Sequence, residues 1–316
     1  MQRISPRKLQ NLAVKAVGDL RRASYPVLAT ERITSAASHY PIDLRPVTSR
    51  LRLDERGIVV VPGPSGVMYR NPVSVSMYAL GRHTAALDPG LAEYGHAEAA
   101  AGMSAMLRQA RYLRGSQDGE GGWRYPVPVL RYSVPPGWYS GMAQGLAISV
   151  LLRAAAVTGE SSFIDAAVGA ANLLLRSTNS GGCSEYDGCG RPFLEECPAD
   201  PPSHILNGAL FAFFGLCEFG THSGTGIPAP ATERLRQQLV RFDLGYWSSY
   251  DLRYRAPCSY AYHRLHVALL EATGQVLAEP GWSAVARRWD GYTRNPAYRL
   301  RAMTAKARFV LGRHEF

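Results

Sequence analysis

Lysine is almost missing from this chain: Lys8, Lys15 and Lys306 are the only ones, although Lys+Arg total 35 against 25 Asp+Glu. That scarcity, with no recognisable binding module, excludes the lysine-rich arms with which many proteins grip nucleic acid. Cysteine is also scarce. Cys183, Cys189, Cys197, Cys217 and Cys258 form no CxxC pair and have no histidine at ligand spacing beside them, so no structural metal is expected. Free thiols in a reducing compartment are the default for such a set. No apolar run is long enough for a secretory signal core or a bilayer span, which predicts a cytoplasmic protein or one peripheral to a membrane. The segment suited to a membrane surface is the basic, amphipathic start MQRISPRKLQNLAVKAVGDLRR. Low-complexity tracts are absent too, and 31 Gly and 21 Pro are spread along all 316 residues, so the chain is globular.

What is present is arginine, at a formal net charge of +10. Such a field attracts nucleic acid, anionic lipid and acidic glycan alike. A guanidinium fork suits carboxylate or sulfate in particular, although an Arg- and Ala-rich chain also follows from a GC-rich genome. Leu51 to Val61 alternates around Glu55-Arg56-Gly57 and predicts a short hairpin after two helical patterns before Tyr40. A turn-rich stretch then runs to Asn71-Pro72 and leads into a further helical pattern. From about Leu91 amphipathic stretches alternate with Gly-aromatic loops such as Gly121-Gly122-Trp123 and Gly137-Trp138-Tyr139. Helices are predicted over 92–113, 139–157, 162–176, 203–219, 231–242, 260–272 and 282–292. The fold class is mainly α, an incomplete (α/α) toroid of helical hairpins with a short N-terminal β-hairpin; an ordinary helical bundle is the other reading. The expected division is 1–85, holding the N-terminal helical segment, hairpin and a substrate loop, and 86–316, the toroid.

Seven strings carry more than composition does. They are GPSGVMYRNPVSVSMYALGRH at 63–83, DGEGGW at 118–123, PPGWYSGMAQGLAIS at 135–149, LEECP at 194–198, SHILNGALFAFFGL at 203–216, SYDLRY at 249–254 and YHRLH at 262–266. In order and spacing, over about two-thirds of the chain, they resemble the catalytic domain of the D-glucuronyl C5-epimerases of heparan sulfate biosynthesis. Animal members carry a β-rich domain between the first two strings, where this chain has only about 35 residues, so it resembles a minimal, bacterial-type relative. The resemblance implies an epimerase that inverts carbon-5 of D-glucuronate to L-iduronate in an acidic polysaccharide. No cofactor is needed in principle. It also implies a homodimer, with the apolar pattern of AKARFVLGRHEF as the expected interface.

Removing the C5 proton of a uronate builds a second negative charge beside its carboxylate, so cations or hydrogen-bond donors must surround it. Inversion then needs one acid/base on each face of the ring. Glu196 follows Glu195 in a partly apolar setting, which predicts a raised carboxyl pKa for one of the two, and the resemblance makes Glu196 catalytic. By the same resemblance Tyr262 serves the opposite face and Tyr250 assists, while Arg253, Asn207, Arg131, His263, Tyr139, Tyr78 and Cys197 contact substrate. His266 lies one turn beyond Tyr262 and is expected on the same face. One departure stands out: Cys197 occupies a position that is tyrosine in the family. It points to an altered substrate, weaker activity, or replacement by Tyr186 or Tyr260. A uronate lyase, which also abstracts the C5 proton, and a non-catalytic acidic-glycan-binding protein are the competing functions.

Overall fold

The computed structural model describes residues 25–28, 38–64, 66–88 and 95–312, the side chains of 95–98 excepted. The basic amphipathic start lies outside the described residues, as do most of the segment expected to hold two helical patterns and the last four residues of AKARFVLGRHEF. The described chain is mainly helical. A short helix, α1 (Arg45–Thr48), precedes β1 (Arg52–Leu53) and β2 (Val59–Pro62), which pair antiparallel with Leu53 opposite Val59. This is the expected hairpin. Asp54 closes its turn by accepting the backbone N–H groups of Arg56 and Ile58, both at 2.9 Å. A third strand, β3 (Met68–Tyr69), joins the same sheet, because the stretch read only as turn doubles back, with the Gly63 N–H donating to the Val67 carbonyl.

The helices that follow are α2 (Pro72–Leu87), α3 (Gly95–Ser116), α4 (Gly141–Thr158), α5 (Ser161–Leu175), α6 (Leu206–Ser223), α7 (Ala229–Phe242), α8 (Tyr260–Leu277), α9 (Pro280–Arg294) and α10 (Pro296–Leu311). Local chemistry sets several of the starts. The Asn71 side chain accepts from the backbone of Val73 and Ser74 with Pro72 at the first helical position, and Ser140 and Ser259 cap α4 and α8. Helix α10 was not anticipated: only Ala302 is buried along it, so it lacks the apolar stripe by which the others are read.

Helices α2 and α3, α4 and α5, and α8 and α9 pack as hairpins. Across them runs a row in which α2 packs on α4, α4 on α6 and α6 on α8. At the centre of this row α4 is buried continuously from Gly141 to Ala155. It is therefore long and apolar enough to cross a membrane by composition, contrary to the expectation that no segment is, but 83% of that stretch is buried against neighbouring helices. Its crossing with α6 is close enough that a Cβ on Gly145 or Gly215 would overlap the partner backbone. In the same interface Arg153 donates two bonds of 2.8 Å to Glu218 and a third to the Ser38 carbonyl, which ties the N-terminal segment to α4 and α6. One hydrophobic cluster runs from Tyr40 to Trp289, and the boundary expected after residue 85 falls inside α2. All five cysteines are free, and only Cys189 is exposed.

Candidate functional site

A second small hairpin carries the central carboxyl groups. Strands β4 (Ser184–Tyr186) and β5 (Pro192–Leu194) pair with Glu185 opposite Phe193, and the chain leaves β5 directly into Glu195 and Glu196. Their side chains diverge, as neighbours on extended backbone do. Glu195 turns inward, where it accepts from the Ser203 hydroxyl at 2.8 Å and the His204 N–H at 3.0 Å. That use of Ser203, with His204 in the left-handed region at φ 47°, explains why α6 begins at Leu206 and not at the expected 203. Glu196 turns the other way, onto the first turn of α6, and the Asn207 amide donates to its Oε2 at 3.4 Å. Gly208 makes the room: a Cβ there would overlap the Glu196 side chain. Burial pushes the Glu196 carboxyl up to about 7 against the opposing pull of Asn207, and pushes Glu195 up to about 8 against its bonds from Ser203 and His204.

Glu196, Asn207 and Tyr262 line one cavity of about 310 Å³, together with Tyr125, Trp138 and Asn71. Among the described residues no arginine or lysine lines it. Helix starts stand there instead. Asn71 and Val73 stand at the start of α2, Ser140 and Met142 at the start of α4, Asn207 at the start of α6, and Ala261 and Tyr262 at the start of α8. Four helix N-termini therefore open onto the same space, each equivalent to roughly half a positive charge. Such a space suits an anion. Tyr262, on the first turn of α8, stands edge-on to Tyr250 with ring centroids 5.0 Å apart.

A family model described as D-glucuronyl C5-epimerase C-terminus matches residues 117–291, which hold Glu196, Asn207 and Tyr262. The chain belongs to this family. It is 30% identical over 215 residues to the D-glucuronyl C5-epimerase of Caenorhabditis elegans, an alignment covering 60% of this chain and 35% of the worm protein. It is also 26% identical over 152 residues to an uncharacterized protein of Methanocaldococcus jannaschii, covering 46% of this chain and 49% of the archaeal one. The chain thus spans between a third and a half of the length of these relatives.

Within the family's strings, the fold brings some of the expected residues together and keeps others apart. Tyr250 lies behind Tyr262 and does not line the cavity; its phenol is pushed well above its ordinary pKa, first by burial and then by the charge of Glu196. The two expected guanidinium groups are directed elsewhere. Arg131 donates to Asp251 at 2.5 Å, within 5.5 Å of the ring centroids of Tyr132, Tyr250, Tyr254 and Phe309. Asp251 is fully buried, and a buried carboxylate without a cation is costly. Arg253 donates to the Pro201 carbonyl at 3.0 Å and does not line the cavity.

His263 is a core residue. Its Nδ1 accepts from the Ser248 N–H at 3.2 Å, and its Nε2 lies 2.9 Å from the Trp289 carbonyl, which can only accept, so Nε2 carries the proton. Burial lowers its pKa to about 4. His266 is buried as well, with Nδ1 2.9 Å from the Ser248 hydroxyl, so its spacing from Tyr262 does not bring it to the cavity. Cys197 repeats the inward turn of Glu195 and packs with Tyr132, Val134, Ala199 and Ile205. Burial raises its thiol pKa. Neither named replacement for the missing tyrosine reaches the cavity: Tyr186 donates to the Leu175 carbonyl from β4, and Tyr260 packs on Trp247. Tyr78 is half-buried against the main core. Tyr139 donates to Asp118 at 2.6 Å and lines a second cavity of about 490 Å³, with Trp138 shared between the two.

Tyr125 and Asn71 are cavity residues that escaped sequence reasoning. Tyr125 stacks on Trp138 with centroids 4.2 Å apart and donates to the Asn71 side chain at 3.2 Å. Asn71 also caps α2. The only local sign was the aromatic of Arg124-Tyr125-Pro126, which pairs by backbone with Trp138; nothing in its spacing marks a site.

Proposed function

We propose that this chain inverts carbon-5 of glucuronate residues in an acidic polysaccharide, and that its row of helical hairpins is an incomplete (α/α) toroid whose first helices direct their N-termini at the sugar. Membership of the epimerase family supports the reaction class. The observation that carries the reading is the pairing, in one cavity, of a carboxyl held near pKa 7 with a tyrosine on the first turn of another helix.

In the forward direction ionised Glu196 takes the C5 proton. The electron pair of that C–H bond moves into the substrate carboxylate, giving an enolate-like dianion. In this reading the four helix N-termini and the Asn207 amide hold that charge. Tyr262 delivers its hydroxyl proton to the opposite face of C5 and becomes a phenolate. Before the next turnover Glu196 loses its proton and Tyr262 regains one; Tyr250, edge-on to Tyr262, assists that exchange in this reading. The reverse reaction exchanges the two roles.

The test is isotopic. Heparosan-like and other uronate polymers are incubated with the protein in deuterated water. Deuterium at C5 with chain length intact is the expected result; unsaturated new ends would establish elimination instead, and no exchange with tight polymer binding would establish a glycan-binding protein.

A further inference from the structure

The hydroxyl of Tyr125 is held in an unusual way. Its acceptor, Asn71 Oδ1, already accepts from Val73 N at 2.9 Å and Ser74 N at 3.3 Å, and Tyr125 adds a third donor at 3.2 Å. A carbonyl oxygen has two lone pairs. Helix α2 needs the backbone bonds to satisfy its first turn, which leaves the phenol as the donor that can leave at least cost. Its surroundings are the cavity itself, since Asn71, Val73, Ser140 and Glu196 all line that space and all interact with this phenol. The ring cannot swing away, because Trp138 stacks on it at 4.2 Å and the residue is buried. Burial also raises the phenol's pKa, with the charges of Tyr69 and Glu196 acting in the same direction, so it stays protonated and keeps its O–H as a donor.

We propose that Tyr125 is a further catalytic residue, whose hydroxyl leaves Asn71 and donates to a carboxylate oxygen of the uronate ring in the Glu196 cavity as that oxygen gains enolate charge. The assignment rests on the reaction proposed above. It also supplies a donor that neither Arg131 nor Arg253 provides, since both are bonded outside the cavity. Among the described residues Tyr25, Tyr125, Trp138, Tyr262, Asn71, Ser140 and Asn207 are the neutral side-chain donors of the lining, and Tyr125 is one whose present acceptor takes two further donors.

The experiment uses the full chain and its Tyr125→Phe variant, measuring deuterium exchange at C5 of heparosan in deuterated water and the affinity for a heparosan oligosaccharide by tryptophan fluorescence. The variant keeps the ring that stacks on Trp138. Its kcat for exchange should fall about 10²- to 10³-fold, by analogy with loss of one oxyanion donor, and its affinity should weaken by about tenfold or less. An unchanged exchange rate overturns the proposal while leaving the epimerase reading intact. If the parent binds the oligosaccharide but exchanges nothing, the epimerase reading fails, and Tyr125 is then judged on affinity: equal binding by parent and variant overturns it. Absence of binding by both overturns both. Should Tyr125→Phe fold poorly, 3-fluorotyrosine at position 125 gives a fluorine resonance that must move on adding the oligosaccharide; a resonance that does not move refutes the contact.

Discussion

At the residue scale the site depends on one carboxyl whose burial and one hydrogen bond oppose each other. Glu196→Gln keeps the shape and the Asn207 contact but removes the base, so C5 exchange should fall by about 10²- to 10⁴-fold with circular dichroism unchanged. In the parent, exchange should rise with pH and level off above about 7, where the carboxyl is ionised. Asn207 donates to the ionised form and lowers that pKa; Asn207→Ala should therefore move the rising limb to higher pH. A pH-rate profile that leaves the limb in place would detach the amide from this function. Cys197, turned into a separate small core, should tolerate Ala with a loss of stability on the order of 1 kcal/mol and an exchange rate close to the parent's.

At the scale of elements, two glycines test two different contacts. A methyl group on Gly208 overlaps the Glu196 side chain, so Gly208→Ala should reduce exchange far more than it reduces thermal stability. Gly215→Ala instead forces α6 from α4 at their closest crossing. Overpacking of that kind costs about 1–3 kcal/mol, which should lower Tm by several degrees, as calorimetry would show. Helix boundaries differed from expectation where side chains served the site. Ser203 could have started α6, but it binds Glu195, and the first turn of α6 is left to hold Glu196.

For the whole molecule, the buried carboxyls couple folding to pH. Glu195 and Glu196 both have folded-state values raised above the ordinary 4.5, to about 8 and about 7. The folded chain therefore binds more protons than the unfolded chain between those limits. Their contribution is fully present below pH 4.5 and is lost as pH rises through 7 to 8. Urea unfolding should show stability falling across that window, and Glu196→Gln, a permanently uncharged isostere, should flatten the slope. The buried Arg153 to Glu218 pair has no such tolerance. Arg153→Ala strands a charge in the core and should cost about 3–5 kcal/mol, with the anchoring of the segment at Ser38 lost as well.

Periodicity and capping residues alone determined most of the helices from α3 to α9 and the first hairpin, because an apolar stripe with a cap behind it is a local property. The family strings named Glu196, Asn207 and Tyr262, three residues that the fold does bring to one cavity. Distances between strings are not local, and tertiary structure decided the rest. It directed Arg131 to Asp251 and His263 to Ser248 and Trp289, and set Tyr125 against Trp138. It also gathered the four helix N-termini at one point. Charge counting had pointed to arginine at the site, whereas the packing of hairpins in a row brings the starts of four helices to the cavity, which no composition can reveal.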